Sequence, residues 1–302
     1  MDDRNQEEAV KKVVLITGAS AGLGLALAQQ LIQEEKYKLV LTSKSSSQIR
    51  FMENNIISSR DVMLRELDIL DHRQITKVVK EITEKLGGVD ILINNAGIAE
   101  SASVEDSEDF YRQQQLDVNY LAPFQIISLV LEHMREKKWG RIINISSAGG
   151  FMAMPTMSSY SASKFALEGA TESLWYEMKP WGISVTLVIP GFIQSLGYLN
   201  TKKTVKSELA VRNEKSIYFE HYAGMAGLIA KSMRLSKSTN KTIAKRISSV
   251  LSAKDPPLRV YVTKDAWLLF WLRKLCPPII YHYLMFKFLP NIFDWGPKRL
   301  KR

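Results

Sequence analysis

Val13-Val14-Leu15-Ile16-Thr17-Gly18-Ala19-Ser20-Ala21-Gly22-Leu23-Gly24 is a β-branched apolar run that passes straight into a turn with three glycines, and an apolar-periodic helix follows. The glycines permit a tight turn, close approach of backbone to a pyrophosphate, and close packing of helix on strand. The helix N-terminus adds free N–H groups and a positive dipole end. A glycine-rich turn alone is often only a turn, but strand, glycines and helix in this order form a site for a dinucleotide. The spacing is GxxxGxG rather than GxGxxG.

Outward from this stretch, short β-branched runs alternate with longer segments of helical periodicity, the pattern of βαβ units in a parallel sheet. Strands are expected near 13–17, 38–43, 62–67, 89–93, 141–145, 184–189 and 258–262. Helices are expected near 22–35, 71–86, 108–138 with a break, 158–179 and 239–252. The fold class is α/β: a Rossmann-type doubly wound parallel sheet of about seven strands. Residues 1–263 form one dinucleotide-binding and catalytic domain. Within it, the polar insertion 192–238 follows a strand's C-terminal end, where open α/β sheets bind ligands, and reads as a helical lid over a substrate or as a mobile surface excursion. Residues 264–302 form an apolar, basic, amphipathic extension.

Composition narrows the class. A chain of 302 residues with 46% hydrophobic side chains can build a full core. A single cysteine, Cys276, excludes an intramolecular disulfide framework, and His72, His133, His221 and His282 lie too far apart for a metal motif, so no metal site is expected. The acidic, polar N-terminus argues against a secretory signal, and a cytoplasmic protein, open to membrane association, is expected. The net charge of +10 is concentrated in residues 264–302, where eight basic residues face two acidic ones. No nucleic-acid motif accompanies that charge, so nucleic acid is not a partner and a membrane surface fits better.

The end of the second strand bears on cofactor choice. Leu39-Val40-Leu41-Thr42-Ser43 is followed by Lys44 and Ser45-Ser46-Ser47, with no carboxylate to bond a ribose diol. Lys44 with these hydroxyls suits a 2′-phosphate, and Ser20 in the glycine turn adds another donor, so NADP(H) is favoured over NAD(H). The alternative is that Lys44 is one solvated charge among many.

Farther along, Tyr160 and Lys164 stand four residues apart, which on a helix places phenol and ammonium on one face. An adjacent cation favours phenolate and is expected to lower the phenol's pKa, giving a candidate general acid/base. Together, Thr17-Gly18-x-x-x-Gly22-x-Gly24, Asn94-Asn95-Ala96-Gly97, Asn119, Ser147, Tyr160-x-x-x-Lys164 and Pro190-Gly191 match in order and spacing. Over residues 10–262 the chain resembles the short-chain dehydrogenase/reductase family. The run Tyr160 to Gly169 is most similar to the hydroxysteroid and retinol dehydrogenase branch.

The resemblance implies hydride transfer between a nicotinamide and a substrate carbon, with Tyr160 protonating the carbonyl oxygen or deprotonating the alcohol. It implies that Lys164 lowers the phenol's pKa and bonds the nicotinamide ribose, and that Ser147, rather than Ser146, bonds the substrate oxygen. It places the cofactor against Gly18, Ser20, Gly22, Leu23, Gly24, Ser43, Lys44, Asp68, Asn95, Ala96, Gly97, Tyr160, Lys164, Pro190, Gly191 and Ile193. Asp68 could instead cap the next helix, and Asn94 could brace the sheet. The family's common threonine near Ile193 is replaced by Ser195, preceded by Gln194.

Asn119 is the fourth catalytic position that the resemblance implies. Pro123 lacks an N–H and crowds the carbonyl four residues back, which frees the Asn119 carbonyl to hold a water that relays protons to Lys164. The alternative is that Pro123 simply kinks or ends a helix segment.

In the extension, Ala266 to Leu272 and Ile279 to Phe286 are aromatic-rich apolar runs edged by Arg273 and Lys274, both too short for the ~20 residues of a membrane span. They suit a helix lying in a membrane interface, or packing within the protein or a homo-oligomer. Either arrangement points to a lipophilic substrate: a steroid, retinoid or long-chain lipid carbonyl, turned over with NADP(H) between carbonyl and secondary or primary alcohol. The competing class is a nonenzymatic NADP(H)-binding redox sensor or membrane-peripheral scaffold.

Overall fold

Seven strands form one parallel sheet in the computed structural model, which describes residues 10–194 and 201–296. In its first half, β1 (Lys12–Ile16) leads through the glycine turn to α1 (Gly22–Glu34). There follow β2 (Tyr37–Ser43), a short α2 (Ile49–Glu53), β3 (Val62–Glu66), α3 (His72–Leu86) and β4 (Ile91–Asn94). The second half holds α4 (Asp109–Leu116), a π turn (Asp117–Leu121), α5 (Ala122–Glu136), β5 (Gly140–Ile145), α6 (Ser158–Met178) and β6 (Ile183–Ile189). Then come α7 (Val205–Arg212), α8 (Phe219–Leu235), α9 (Asn240–Ser252), β7 (Arg259–Tyr261), α10 (Lys264–Leu275) and α11 (Pro278–Phe288).

The strand order β3-β2-β1-β4-β5-β6-β7 reverses direction between β1 and β4, which opens a crevice at the strands' C-terminal ends. Successive side chains of a strand face opposite ways, so β1 feeds two cores. Val13 and Leu15 pack with α3 and α5 through Ile75, Ile82, Ile126 and Val130, while Val14 and Ile16 pack with α1 and α9 through Leu27, Leu31, Ile243 and Ile247. Both faces being covered, the strands read as continuous apolar runs. Each such side chain fully buried stabilises the fold by about 1.5–3 kcal/mol.

All seven expected strands form, with ends within about two residues of expectation. The long helix near Pro123 does not stop; it widens into a π turn, in which the Ala122 N–H reaches the Asp117 carbonyl, and continues as α5. The insertion 192–238 is largely helical, carrying α7 and α8; its residues 195–200, Ser195 among them, lie outside the described residues.

Within the extension, α11 departs from the expected amphipathic pattern. α11 has no polar face: of its residues only Tyr281 is buried, and large apolar side chains project on the other sides. α10 is anchored, with Ala266 buried and the Phe270 ring 5.6 Å from Phe151 and 4.7 Å from Tyr261. The end of the extension returns to α8, where the Trp295 ring stacks 4.6 Å from His221. Among the described residues no helix is long and apolar enough to cross a membrane.

Candidate active site

The glycine turn is fixed by what surrounds it. Gly18 has φ +65°, and a Cβ there would lie 2.9 Å from the Ala96 Cα, so both backbone handedness and space require glycine. A Cβ on Gly24 would stand 2.2 Å from the Gly18 carbonyl oxygen, which makes Gly24 a packing position between turn and helix. Thr17 Oγ1 accepts from the N–H groups of Asn95 and Ala96, both at 3.1 Å, and Asn95 Nδ2 donates to the Thr17 and Gly18 carbonyls, both at 3.0 Å. This latch joins the turn to the end of β4 across the point where strand order reverses.

A cleft of about 860 Å³ opens there. Gly18, Ser20, Gly22 and Leu23 line it from the turn, Ser43 and Lys44 from the end of β2, and Asn95, Ala96 and Gly97 from the end of β4. Tyr160, Lys164, Pro190 and Ile193 complete the side toward β5 and β6. At the start of α1, Ala21 supplies no capping side chain and the first turn has no acidic residue, so the helix's leading N–H groups have no side-chain acceptor.

Asp68 is not on this wall: its Oδ2 pairs with Lys44 Nζ at 3.0 Å, and its Oδ1 accepts the Leu70 N–H at 3.0 Å in the turn before α3. Both partners are substantially exposed, so this ion pair holds Lys44 by no more than about 1 kcal/mol. Lys44 is free to turn toward a phosphate.

Tyr160 and Lys164 share one face of α6, and Gly149 accommodates the phenol ring, since a Cβ there would lie 2.9 Å from Tyr160 Cε1. Lys164 is buried and donates to the Ile145 carbonyl at 2.9 Å. Asn119 braces this helix: its Nδ2 donates to Ser163 Oγ at 2.9 Å and to the Ile98 carbonyl at 2.9 Å, while its Oδ1 accepts the Ile98 N–H at 3.0 Å. Gly97 is wedged beside both groups, a Cβ there falling 3.2 Å from Asn119 Oδ1 and 3.7 Å from Lys164 Nζ. Asn94 does brace the sheet, donating to Asn144 Oδ1 at 2.9 Å.

The titration of the pair differs from expectation. Burial pushes the Tyr160 phenol above its ordinary value, opposed by a hydrogen bond with Ser147; Lys164 does not enter as a cause. Burial likewise draws the Lys164 ammonium down to about 8, against the attraction of Glu168 one turn later. Loss of water around both groups therefore outweighs the attraction of neighbouring charges. Glu168 is itself buried and bonded to Arg259 Nε at 3.2 Å, with Ser146 beside it.

The two serines at the end of β5 diverge. Ser146 faces the glycine-lined cleft, whereas Ser147 opens on a second cavity of about 260 Å³. Met152, Met154, Met157, Ile229 and Met233 give that cavity apolar walls, and Gly191 and Phe192 close one side. Gly191 thus borders this cavity and not the cleft. Tyr160 and Ile193 line both. The Gly191 N–H donates to Thr263 Oγ1 at 2.8 Å and the Phe192 N–H to Asp265 Oδ2 at 2.7 Å, so α10 holds this edge in place. Sequence reading placed Thr17 in the glycine motif without a role for its hydroxyl, and missed Ser163, Glu168, Thr263, Asp265 and the methionines. Only the methionine cluster Met152, Met154 and Met157 was visible as a local enrichment.

Residues 12–204 match the family model described as short chain dehydrogenase. The chain is 33% identical over 259 residues to a 3-ketodihydrosphingosine reductase of Bacteroides thetaiotaomicron, covering 86% of this chain and 90% of that protein. It is 32% identical over 259 residues to oxidoreductase BOA17 of Botryotinia fuckeliana, covering 84% and 90%. A crystal structure of a short-chain dehydrogenase from Streptomyces avermitilis superposes with a TM-score of 0.76 at 25% identity, over 93% of this chain and 97% of that one. Sheet order, glycine turn and these matches agree: the chain belongs to the short-chain dehydrogenase family and is an oxidoreductase acting on an alcohol or carbonyl group.

Proposed function

We propose that this oxidoreductase uses NADP(H) to interconvert a carbonyl and a secondary or primary alcohol on a lipophilic substrate, with Tyr160 as the acid/base. The observation that carries the reading is that Tyr160 lines both the glycine-lined cleft and the methionine-walled cavity, so one phenol faces two bound molecules. The cleft suits a dinucleotide: glycines at close-approach positions, an uncapped helix N-terminus for a pyrophosphate, and Lys44 with Ser20 and Ser43 for a 2′-phosphate. When bound, the nicotinamide supplies or accepts the hydride.

The chain's own residues do the rest. The Tyr160 phenol is protonated at neutral pH, as an ordinary phenol is, and burial raises its pKa further; this is the form that donates a proton to a carbonyl oxygen during reduction. Ser147, on the cavity side, positions that oxygen by hydrogen bonding. Lys164 presents a buried ammonium one helical turn away, and Asn119 with Ser163 keeps the helix in register. Residues 1–263 act as the catalytic domain, with 192–238 closing over the cavity.

Apolar walls favour an apolar substrate. Among steroids, retinoids and lipid carbonyls we rank a long-chain ketone first, because a relative is named for reducing 3-ketodihydrosphingosine. A carbonyl panel followed by NADPH absorbance tests the assignment. Turnover of long-chain, steroid or retinoid carbonyls with NADPH preferred over NADH is expected; turnover confined to sugars or polyols contradicts it.

A further inference from the structure

From Ala266 to Phe293 the chain carries no carboxylate and three cations, Arg273, Lys274 and Lys287. Little of the protein covers this stretch. On α11, Ile279, Tyr283 and Phe288 are 82%, 60% and 78% exposed, and on α10, Leu268 and Leu275 are 61% and 74% exposed. Soluble proteins seldom leave so much contiguous apolar surface in water. A helix apolar on every side must bury itself against something, and α11, about 16 Å long, is half of what the ~30 Å hydrocarbon layer requires.

The cations lie among the rings: Lys274 Nζ is 5.3 Å from the Trp271 centroid, and Lys287 Nζ is 4.6 Å from Phe293 and 5.6 Å from Tyr283. Long basic side chains held at the level of exposed aromatics suit the headgroup boundary, where rings enter the lipid and ammonium groups meet lipid phosphates. We infer that α10 and α11 form a docking surface for an anionic lipid bilayer, lying in its interface without crossing it. A two-fold contact between copies of the chain is the weaker fit, because it sets Arg273, Lys274 and Lys287 against one another while the carboxylate of α10, Asp265, is engaged by the Phe192 N–H at the cavity edge.

The surface is joined to the site. Through Thr263 and Asp265, α10 holds Gly191 and Phe192 at the cavity edge, and Pro290 and Trp295 pack on α8 at Gly224 and His221. α8 also supplies Ile229 and Met233 to the cavity wall. A bilayer docked on α10 and α11 therefore lies beside elements that frame the cavity. The docking itself does not depend on the substrate assignment.

Flotation of the full-length protein with phosphatidylcholine vesicles, with and without phosphatidylglycerol, tests this without any turnover measurement. Binding to the phosphatidylglycerol vesicles, weakened by salt, is expected. Combining Leu275→Glu, Ile279→Glu and Phe288→Glu should lower that partitioning by roughly tenfold or more, with circular dichroism and NADPH binding unchanged. The inference is overturned if the native chain fails to float with either vesicle, if both compositions bind it equally, or if the triple variant only dissolves a dimer and leaves flotation intact.

Discussion

Asp265 Oδ2 accepts the Phe192 N–H at 2.7 Å across 73 positions of sequence, tethering α10 to the loop that edges the apolar cavity. Thr263 Oγ1 does the same for Gly191 at 2.8 Å, and a Cβ on Gly191 would collide with Asp265 Oδ2 at 2.0 Å. The extension is thus built into the site rather than appended to it.

Removing this acceptor leaves a partly buried N–H unpaired, a loss of about 1–3 kcal/mol. Asp265→Ala should lower the urea midpoint accordingly and raise KM for the carbonyl substrate more than KM for NADPH. Asp265→Asn, which keeps a side-chain oxygen in place, should recover most of both. Equal stability of the two variants would remove the tether from the account.

The proposed preference for NADP(H) rests on Lys44, whose ammonium is tied among the described residues by a surface ion pair with Asp68. Replacing the cation by Lys44→Asp forfeits one charge-assisted contact, so NADPH should bind about 10- to 100-fold more weakly while NADH changes little. Fluorescence titration with both nucleotides reads the difference directly. An unchanged preference would return Lys44 to the status of a solvated charge.

The proposed role of Lys164 sets an expectation for the alkaline side of the activity profile. Its ammonium titrates near about 8 because burial disfavours the charged form, and Glu168 is the neighbouring charge that works against this. As pH rises through that value the ammonium is lost, so activity that needs it falls on the alkaline side. Glu168→Gln removes the opposing attraction and should move this limb to lower pH by roughly half a unit to one unit. Arg259 keeps its second partner Glu172 at 2.6 Å, so the helix contact survives. A limb that stays in place would show that Lys164 does not govern it.

What the sequence disclosed and what it hid have physical causes. The seven strands were legible because β-branched runs buried on both faces lie between turn residues, and the motif residues were legible because their spacings are short. Asn119 was legible only as a resemblance; its partner Ser163, 44 positions away, resembled any helix serine. The π turn before Pro123 was half legible, since proline marks a break but not whether the helix resumes. The bounds of α7 and α8 were not legible within the helical insertion, and α8 leans on the returning end of the extension through His221 and Trp295. The direction of the Tyr160 shift was misjudged because proximity of Lys164 shows in sequence while desolvation does not.

Tyr160→Phe tests the proposed chemistry most directly, because it deletes one oxygen and leaves the ring that Gly149 accommodates. NADPH oxidation with a lipophilic ketone should fall by about 10²–10⁴-fold while NADPH binding holds within a factor of about two. Turnover within a few-fold of the native enzyme, with binding intact, would contradict the assignment of Tyr160 as the proton donor.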